Sequence, residues 1–91
     1  MSDKLIIFTM KTCGACKFLK KKLKQNNIQF LDIDIDEYQQ LWDKVVEQTN
    51  NDYVPTAYIV KENQDEGIIF SPGQDYDDPD DLIKKILDNL E

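Results

Sequence analysis

The spacing of apolar residues changes repeatedly along this chain, and each change predicts a new element. Lys4 to Thr9 holds the unbroken run Leu5-Ile6-Ile7-Phe8, which predicts a strand buried on both faces. A turn follows at Lys11 to Gly14. Beyond it Cys16, Leu19 and Leu23 recur at i, i+3 and i+7 while lysines fill most of the remaining positions, so a helix to about Gln25 is predicted. Asn26-Asn27 suits its end, because asparagine tolerates the left-handed conformation found where helices stop. Ile28 to Ile35 predicts a second strand, in which Leu31, Ile33 and Ile35 alternate with Asp32 and Asp34. A phase shift at Phe30-Leu31 marks a bulge or a strand end. Asp36 is the expected cap of a second helix, with Tyr38, Leu41, Trp42, Val45 and Val46 as its apolar stripe.

Thr49 to Asp52 reads as a polar loop, and Pro55 introduces a third strand from Thr56 to Val60. A turn at Glu62 to Glu66 and a short strand at Gly67 to Phe70 complete a hairpin. After a loop at Ser71 to Asp78, the run Asp78-Pro79-Asp80-Asp81 opens the last helix. It supplies a capping carboxylate, proline at the first helical position and acids against the helix dipole. Leu82, Ile83, Ile86, Leu87 and Leu90 are its expected buried face. The order β-α-β-α-β-β-α predicts an α/β fold with a four-stranded mixed sheet and helices on both faces. The first β-α-β unit must pair in parallel through a right-handed crossover.

Ninety-one residues, 41% hydrophobic and 32% charged, suit a single globular domain over residues 1–91. The chain shows neither a run long enough to cross a membrane nor a secretory leader, so a cytoplasmic monomer is expected. The net charge of −7 is uneven. Residues 1–30 carry seven lysines and one acid, a net of +6, and residues 31–91 carry four lysines and seventeen acids, a net of −13. A nucleic-acid binder is normally basic overall, so a chain this acidic is not expected to be one. The lysines of the first helix read as a solvated face, the alternative being that they steer acidic partners. Asp32, Asp34, Asp36 and Asp43 superficially resemble a calcium loop, but Glu37 stands where that loop needs glycine. Asp75, Asp77, Asp78, Asp80 and Asp81 read as capping and solvated loop, with Asp75 set apart below.

Cys13 and Cys16 are the two cysteines, and the chain has no histidine. A disulfide-stapled secreted fold needs more cysteines, and a structural zinc site needs four ligands. What remains is a Cys-x-x-Cys pair between a buried strand and an amphipathic helix, the setting of a redox motif. A thiol at a helix N-terminus meets unpaired N–H groups and the positive end of the dipole, which favour thiolate. Cys13, in the turn, is the expected attacking thiol. Cys16, one turn inside on the apolar face, is the expected resolving thiol that releases the mixed disulfide.

From Lys4 to about Leu90 the chain resembles the glutaredoxins. The resemblance is carried by Phe8-Thr9-Met10-Lys11-Thr12-Cys13-Gly14-Ala15-Cys16, by Tyr53-Val54-Pro55-Thr56, and by Pro72-Gly73-Gln74-Asp75 before the last helix. It implies a thioredoxin-like fold and a dithiol oxidoreductase that reduces protein disulfides or glutathione mixed disulfides. Glutathione would be the reductant, with no tightly bound cofactor or metal. Residue by residue, it implies Cys13 and Cys16 as the redox pair and Val54-Pro55 as a cis-proline site whose backbone meets the cysteinyl part of glutathione. Gln74 and Asp75 would hold the γ-glutamyl end, and Lys11 the glycine carboxylate. Gly14-Ala15 stands where glutaredoxins commonly have Pro-Tyr, Pro72 where they have glycine, and Tyr53 where they have threonine. These departures predict weak glutathione binding with dithiol exchange intact. The resemblance also leaves two alternatives: a thioredoxin-like reductant recycled by a flavoprotein (thioredoxin) reductase, and a glutathione-ligated iron–sulfur carrier.

Overall fold

A computed structural model describes residues 3–61 and 67–90. Its elements are β1 (Lys4–Thr9), α1 (Gly14–Gln25), β2 (Leu31–Asp34), α2 (Gln39–Thr49), β3 (Thr56–Val60), β4 (Ile68–Phe70) and α3 (Pro79–Asn89). The sheet runs β2-β1-β3-β4. β1 pairs in parallel with β2 and antiparallel with β3, and β3 pairs antiparallel with β4. β1 is therefore interior, which is why its apolar run is unbroken: both of its faces meet a core. Leu5 and Ile7 join Leu19 and Leu23 of α1, Ala57 and Ile59 of β3, and Leu82, Ile83 and Ile86 of α3. Phe8 points the other way, into a smaller cluster with Ile33, Trp42 and Val45. The rings of Phe8 and Trp42 lie 5.4 Å apart, tilted by 41°. Two helices thus cover one face and α2 covers the other, a thioredoxin-like α/β arrangement.

Several expected details differ. The second strand begins at Leu31, so the phase shift is a strand start. Asn27 takes the left-handed conformation (φ 57°) and the Ile28 N–H donates to the Leu23 carbonyl at 2.9 Å. This turns the chain at the end of α1 and sends Ile28 into the larger core before pairing begins. Leu31 is exposed because β2 is an edge strand. Asp36 does not cap α2. Its N–H donates to Asp34 Oδ1 at 2.9 Å, forming a turn, and the helix starts three residues later after Tyr38. Tyr38 precedes the first helical turn, so helical spacing does not govern it, and it stands 53% exposed instead of packed. Leu41 is exposed too, leaving Trp42 and Val45 as the buried face. On α3, Leu87 is 50% exposed, because the line Leu82, Ile83 and Ile86 faces the core and Leu87 falls at its edge. The expected turn at Glu62 to Glu66 lies outside the described residues. On the near side of the hairpin, a side chain at Gly67 would collide with the Tyr58 ring.

Candidate active site

The turn that ends β1 is closed by the Cys13 N–H donating to the Met10 carbonyl at 3.1 Å. Cys13 is extended (φ −91°, ψ 108°) and is the N-cap of α1. Its Sγ accepts the backbone N–H of Cys16 at 3.0 Å, a position usually filled by a Ser, Thr, Asp or Asn oxygen. Cys13 and Cys16 form a disulfide with their Cα atoms 5.2 Å apart. Cys16 is fully buried beside Leu19 and Leu23, whereas Cys13 is only partly covered. The first residue of the pair is partly exposed and the second is buried. The first turn of α1 contains no acid, so the positive end of the dipole is left to the sulfur.

Cys13 Sγ lies 4.0 Å from the Val54 carbonyl oxygen, within reach of a weak S–H···O bond once the disulfide is reduced. The Val54–Pro55 peptide is cis. This loop is tied from both sides. Tyr53 N–H donates to Asn51 Oδ1 at 2.9 Å and Thr56 Oγ1 donates to the Tyr53 carbonyl at 2.9 Å. The Tyr76 hydroxyl donates to the Pro55 carbonyl, and burial pushes the Tyr76 phenol pKa up, keeping it a donor. Asn51 Nδ2 donates to the Pro72 carbonyl at 2.9 Å. Asn51 and Tyr76 therefore join the cis-proline loop to the loop that precedes α3.

That second loop is internally bonded. The N–H groups of Gln74 and Asp75 donate to the Ser71 carbonyl at 3.3 and 2.9 Å, and that of Gly73 donates to the Tyr76 carbonyl at 2.9 Å. Asp75 Oδ2 accepts the Ser71 N–H at 2.7 Å. Gln74 Nε2 reaches the Thr49 carbonyl at 3.3 Å. Gly73 takes φ 77°, where a side chain is strained.

Lys11 is exposed, with Nζ 3.9 Å from Glu37 Oε1. It lines a groove of about 300 Å³ with Thr9, Met10, Lys17, Lys20 and Asp32, among others, and without Val54, Gln74 or Asp75. The fold thus places Cys13 Sγ beside the Val54 carbonyl, and Asn51 and Tyr76 join the Val54–Pro55 loop to the loop that holds Gln74 and Asp75. Lys11 stands two residues before Cys13, at the groove lined by Thr9, Lys17 and Asp32. Sequence reasoning missed Asn51 and Tyr76, whose partners are backbone carbonyls distant in sequence. It also missed a bonded trio beside the motif. Thr9 Oγ1 donates to Asp32 Oδ1 at 2.6 Å, and Lys20 Nζ donates to Asp32 Oδ2 at 2.9 Å. Burial raises the Asp32 pKa, but these hydrogen bonds outweigh it and hold the carboxyl below its ordinary range. A threonine ending one strand and an acid on its parallel neighbour were the available signal. Among the described residues, no three His, Cys, Asp or Glu side chains converge to hold a metal, and no helix is long and apolar enough to cross a membrane.

The family model described as Glutaredoxin matches residues 5–63. No curated protein sequence matches the chain. Among solved structures, the chain is similar to a thioredoxin-like protein, with a TM-score of 0.62 at 19% identity, covering 93% of this chain and 97% of that one. It is also similar to the structure of a buckwheat glutaredoxin–glutathione complex, with a TM-score of 0.60 at 20% identity over 94% of this chain and 70% of that one. Wheat glutaredoxin gives 0.59 at 20% identity over 93% and 70%. At these identities the structural likeness shows the fold.

Proposed function

Since this chain belongs to the glutaredoxin family, we propose that it is a dithiol oxidoreductase that reduces protein disulfides or glutathione mixed disulfides. The observation that carries this reading is the Cys13–Cys16 pair at the start of α1, with Cys13 partly exposed and Cys16 buried. In the reduced protein, the Cys13 thiolate attacks one sulfur of a substrate disulfide. That bond breaks, the leaving sulfur takes a proton, and Cys13 is joined to the substrate. Cys16 then loses its proton and attacks Cys13 Sγ. The mixed disulfide breaks, the second substrate thiol leaves, and the Cys13–Cys16 disulfide forms. Two electrons have passed from the pair to the substrate. Two molecules of glutathione restore the dithiol and become one molecule of oxidised glutathione.

Glutathione would lie over Cys13 along the Val54 backbone, with Pro55 shaping the site. Its γ-glutamyl ammonium would meet the Asp75 carboxylate beside Gln74, and its glycine carboxylate would meet Lys11. Binding should be weak. The N–H groups of Gly73, Gln74 and Asp75 already donate within their own loop, and Ala15 and Pro72 stand where the resemblance expects an aromatic contact and a backbone donor. Those same observations favour a second reading, in which a flavoprotein reductase recycles the pair. Turnover of a small mixed disulfide with glutathione and its reductase, run beside the same assay with a thioredoxin reductase, separates the two. Activity in the first arm supports the glutathione-linked reading, and activity in the second alone replaces it. Inactivity in both removes the enzyme reading.

A further inference from the structure

The lysines of α1 divide by helical position. Cys16, Leu19 and Leu23 form its buried line. On one flank Lys20 is bonded to Asp32 of β2 at 2.9 Å, and the charge of Lys24 also acts on Asp32. On the other flank Lys22 Nζ lies 3.7 Å from Asp80 Oδ1 of α3 and 5.4 Å from the centre of the Phe18 ring. Opposite the buried line, Gly14, Lys17, Phe18 and Lys21 follow at i, i+3, i+4 and i+7 and share one crest. All are exposed, Phe18 by 44%. Among the described residues, neither Lys17 nor Lys21 has an ion pair or hydrogen bond. The crest begins one residue after Cys13 and extends about 10 Å along the helix to Lys21.

We propose that this crest is a docking surface for an acidic protein segment carrying an apolar residue, seated beside the disulfide that Cys13 attacks. The identity of the attacked group rests on the oxidoreductase reading above, while the docking surface does not. Charge complementarity selects the partner. Lys20 and Lys22 each pair with an acid of this chain, whereas Lys17 and Lys21 keep their charge beside an exposed aromatic ring. Residues 31–91 carry a net −13, so an acidic partner is repelled elsewhere on a molecule of 30 × 29 × 23 Å. Charges screen over about 8–10 Å near physiological salt. Asp32, Asp34 and Glu37 line the groove on the Lys17 side, so a segment seated along the crest is drawn by contact with Lys17 and Lys21 and held off that groove, which orients it toward Cys13.

Two measurements test this. In the first, the oxidised protein is titrated by NMR with a cysteine-free peptide of aspartates around one phenylalanine, and with the same peptide carrying lysines. The acidic peptide should shift the amides of Gly14 to Lys21. The shifts should vanish in a Lys17→Gln, Lys21→Gln double variant, and also on going from about 0.1 M to about 1 M salt, where screening shortens to about 3 Å. In the second, the pre-reduced protein reduces two disulfide-linked peptides that differ only in acidic or basic flanks. The acidic peptide should react about tenfold faster at about 0.1 M salt, and the double variant should bring the ratio near one. The ratio cancels any change in Cys13 ionisation. Shifts that map elsewhere, a ratio at or below one, or a double variant that changes neither would overturn the docking surface. Failure to reduce even a small uncharged disulfide would instead remove the oxidoreductase reading, and the titration would still decide the docking surface.

Discussion

α1 and α3 lie on the same face of the sheet, and each opens one residue after a side chain that caps it. At α3 the cap is Asp78, whose Oδ1 accepts the Asp81 N–H at 2.8 Å, with Pro79 first in the helix and Asp80 and Asp81 in its first turn. At α1 the cap is the sulfur of Cys13, and no acid follows. Both ends present the same geometry, a side-chain acceptor for the N–H three residues on. Their chemistry is opposite. α3 compensates its dipole with fixed carboxylates, which stabilises the helix. α1 leaves the dipole uncompensated, so that the charge it favours is the thiolate of a reacting sulfur.

The largest expected effect comes from changing the α1 cap alone. Cys13→Ser keeps a side-chain acceptor for the Cys16 N–H, so the helix should remain, but it removes the attacking thiolate and all disulfide exchange. Cys16→Ser should instead accumulate mixed disulfides on Cys13, visible by mass spectrometry. Equal loss in both variants, with no trapped adduct, would contradict the assigned roles.

Changing the α3 cap should have the complementary outcome. Asp78→Ala should cost about 1 kcal/mol of stability, a fall of about 4–8 °C in Tm for a domain of this size. The rate of exchange should not change. A loss of activity in the still-folded variant would show that the two helix ends are coupled more closely than their separate caps imply.

A sharper test makes α1 resemble α3. A side chain at Gly14 meets nothing within 4 Å, so Gly14→Asp adds a first-turn carboxylate without a clash. An acid there stabilises a helix by about 0.3–1 kcal/mol, and aspartate is a somewhat better helix residue than glycine. The same charge opposes the thiolate, and 1 kcal/mol corresponds to about 0.7 of a pKa unit. Thermal stability should rise while the inflection in the pH profile of Cys13 alkylation moves up by about 0.2–0.7 unit. An unmoved inflection would show that the dipole does not set the thiol's ionisation.

Both of these helix starts are legible in the sequence. Asp78-Pro79-Asp80-Asp81 signals a helix start through local chemistry, and Cys13 and Cys16 sit at fixed offsets from a buried strand. β1 and β3 were legible because their apolar runs have no other use. α2 was less so. Its start depends on Asp34 capturing the Asp36 N–H in a turn, which takes Asp36 out of the capping position. Leu41 had core spacing but no partner surface, because α2 covers its face of the sheet alone with Trp42 and Val45 at the contact, and Tyr38 lies before the first helical turn. The bonds that fix the cis-proline loop were also hidden. Asn51 reaches Pro72 and Tyr76 reaches Pro55 across 21 residues each, and a polar side chain bonding a distant carbonyl leaves no periodic trace.

The smallest expected effect concerns how the two ends respond to acid. At the start of α3, Lys85 Nζ lies 3.1 Å from Asp81 Oδ1 and the Asp77 N–H donates to Asp81 Oδ2 at 3.2 Å. The hydrogen bond from Lys85 is the chief cause holding the Asp81 pKa below its ordinary 3.8. A carboxyl whose pKa is lower folded than unfolded stabilises the fold above the unfolded value. That contribution is lost as pH falls through the folded value. Asp81→Asn should therefore lower Tm slightly at pH 6, and the difference from the native chain should shrink below about pH 3.8 as both become uncharged at this position. Because Asp81 is solvent-screened, the difference should be small even at neutral pH. Native α1 has no first-turn acid to protonate, so the comparison can be run in reverse. Gly14→Asp should add an acid-dependent loss of Tm that the native chain lacks at that helix end. Should the difference between native and Asp81→Asn persist unchanged down to about pH 2, the Asp81 carboxylate is not what stabilises the start of α3, and its place beside Lys85 is incidental.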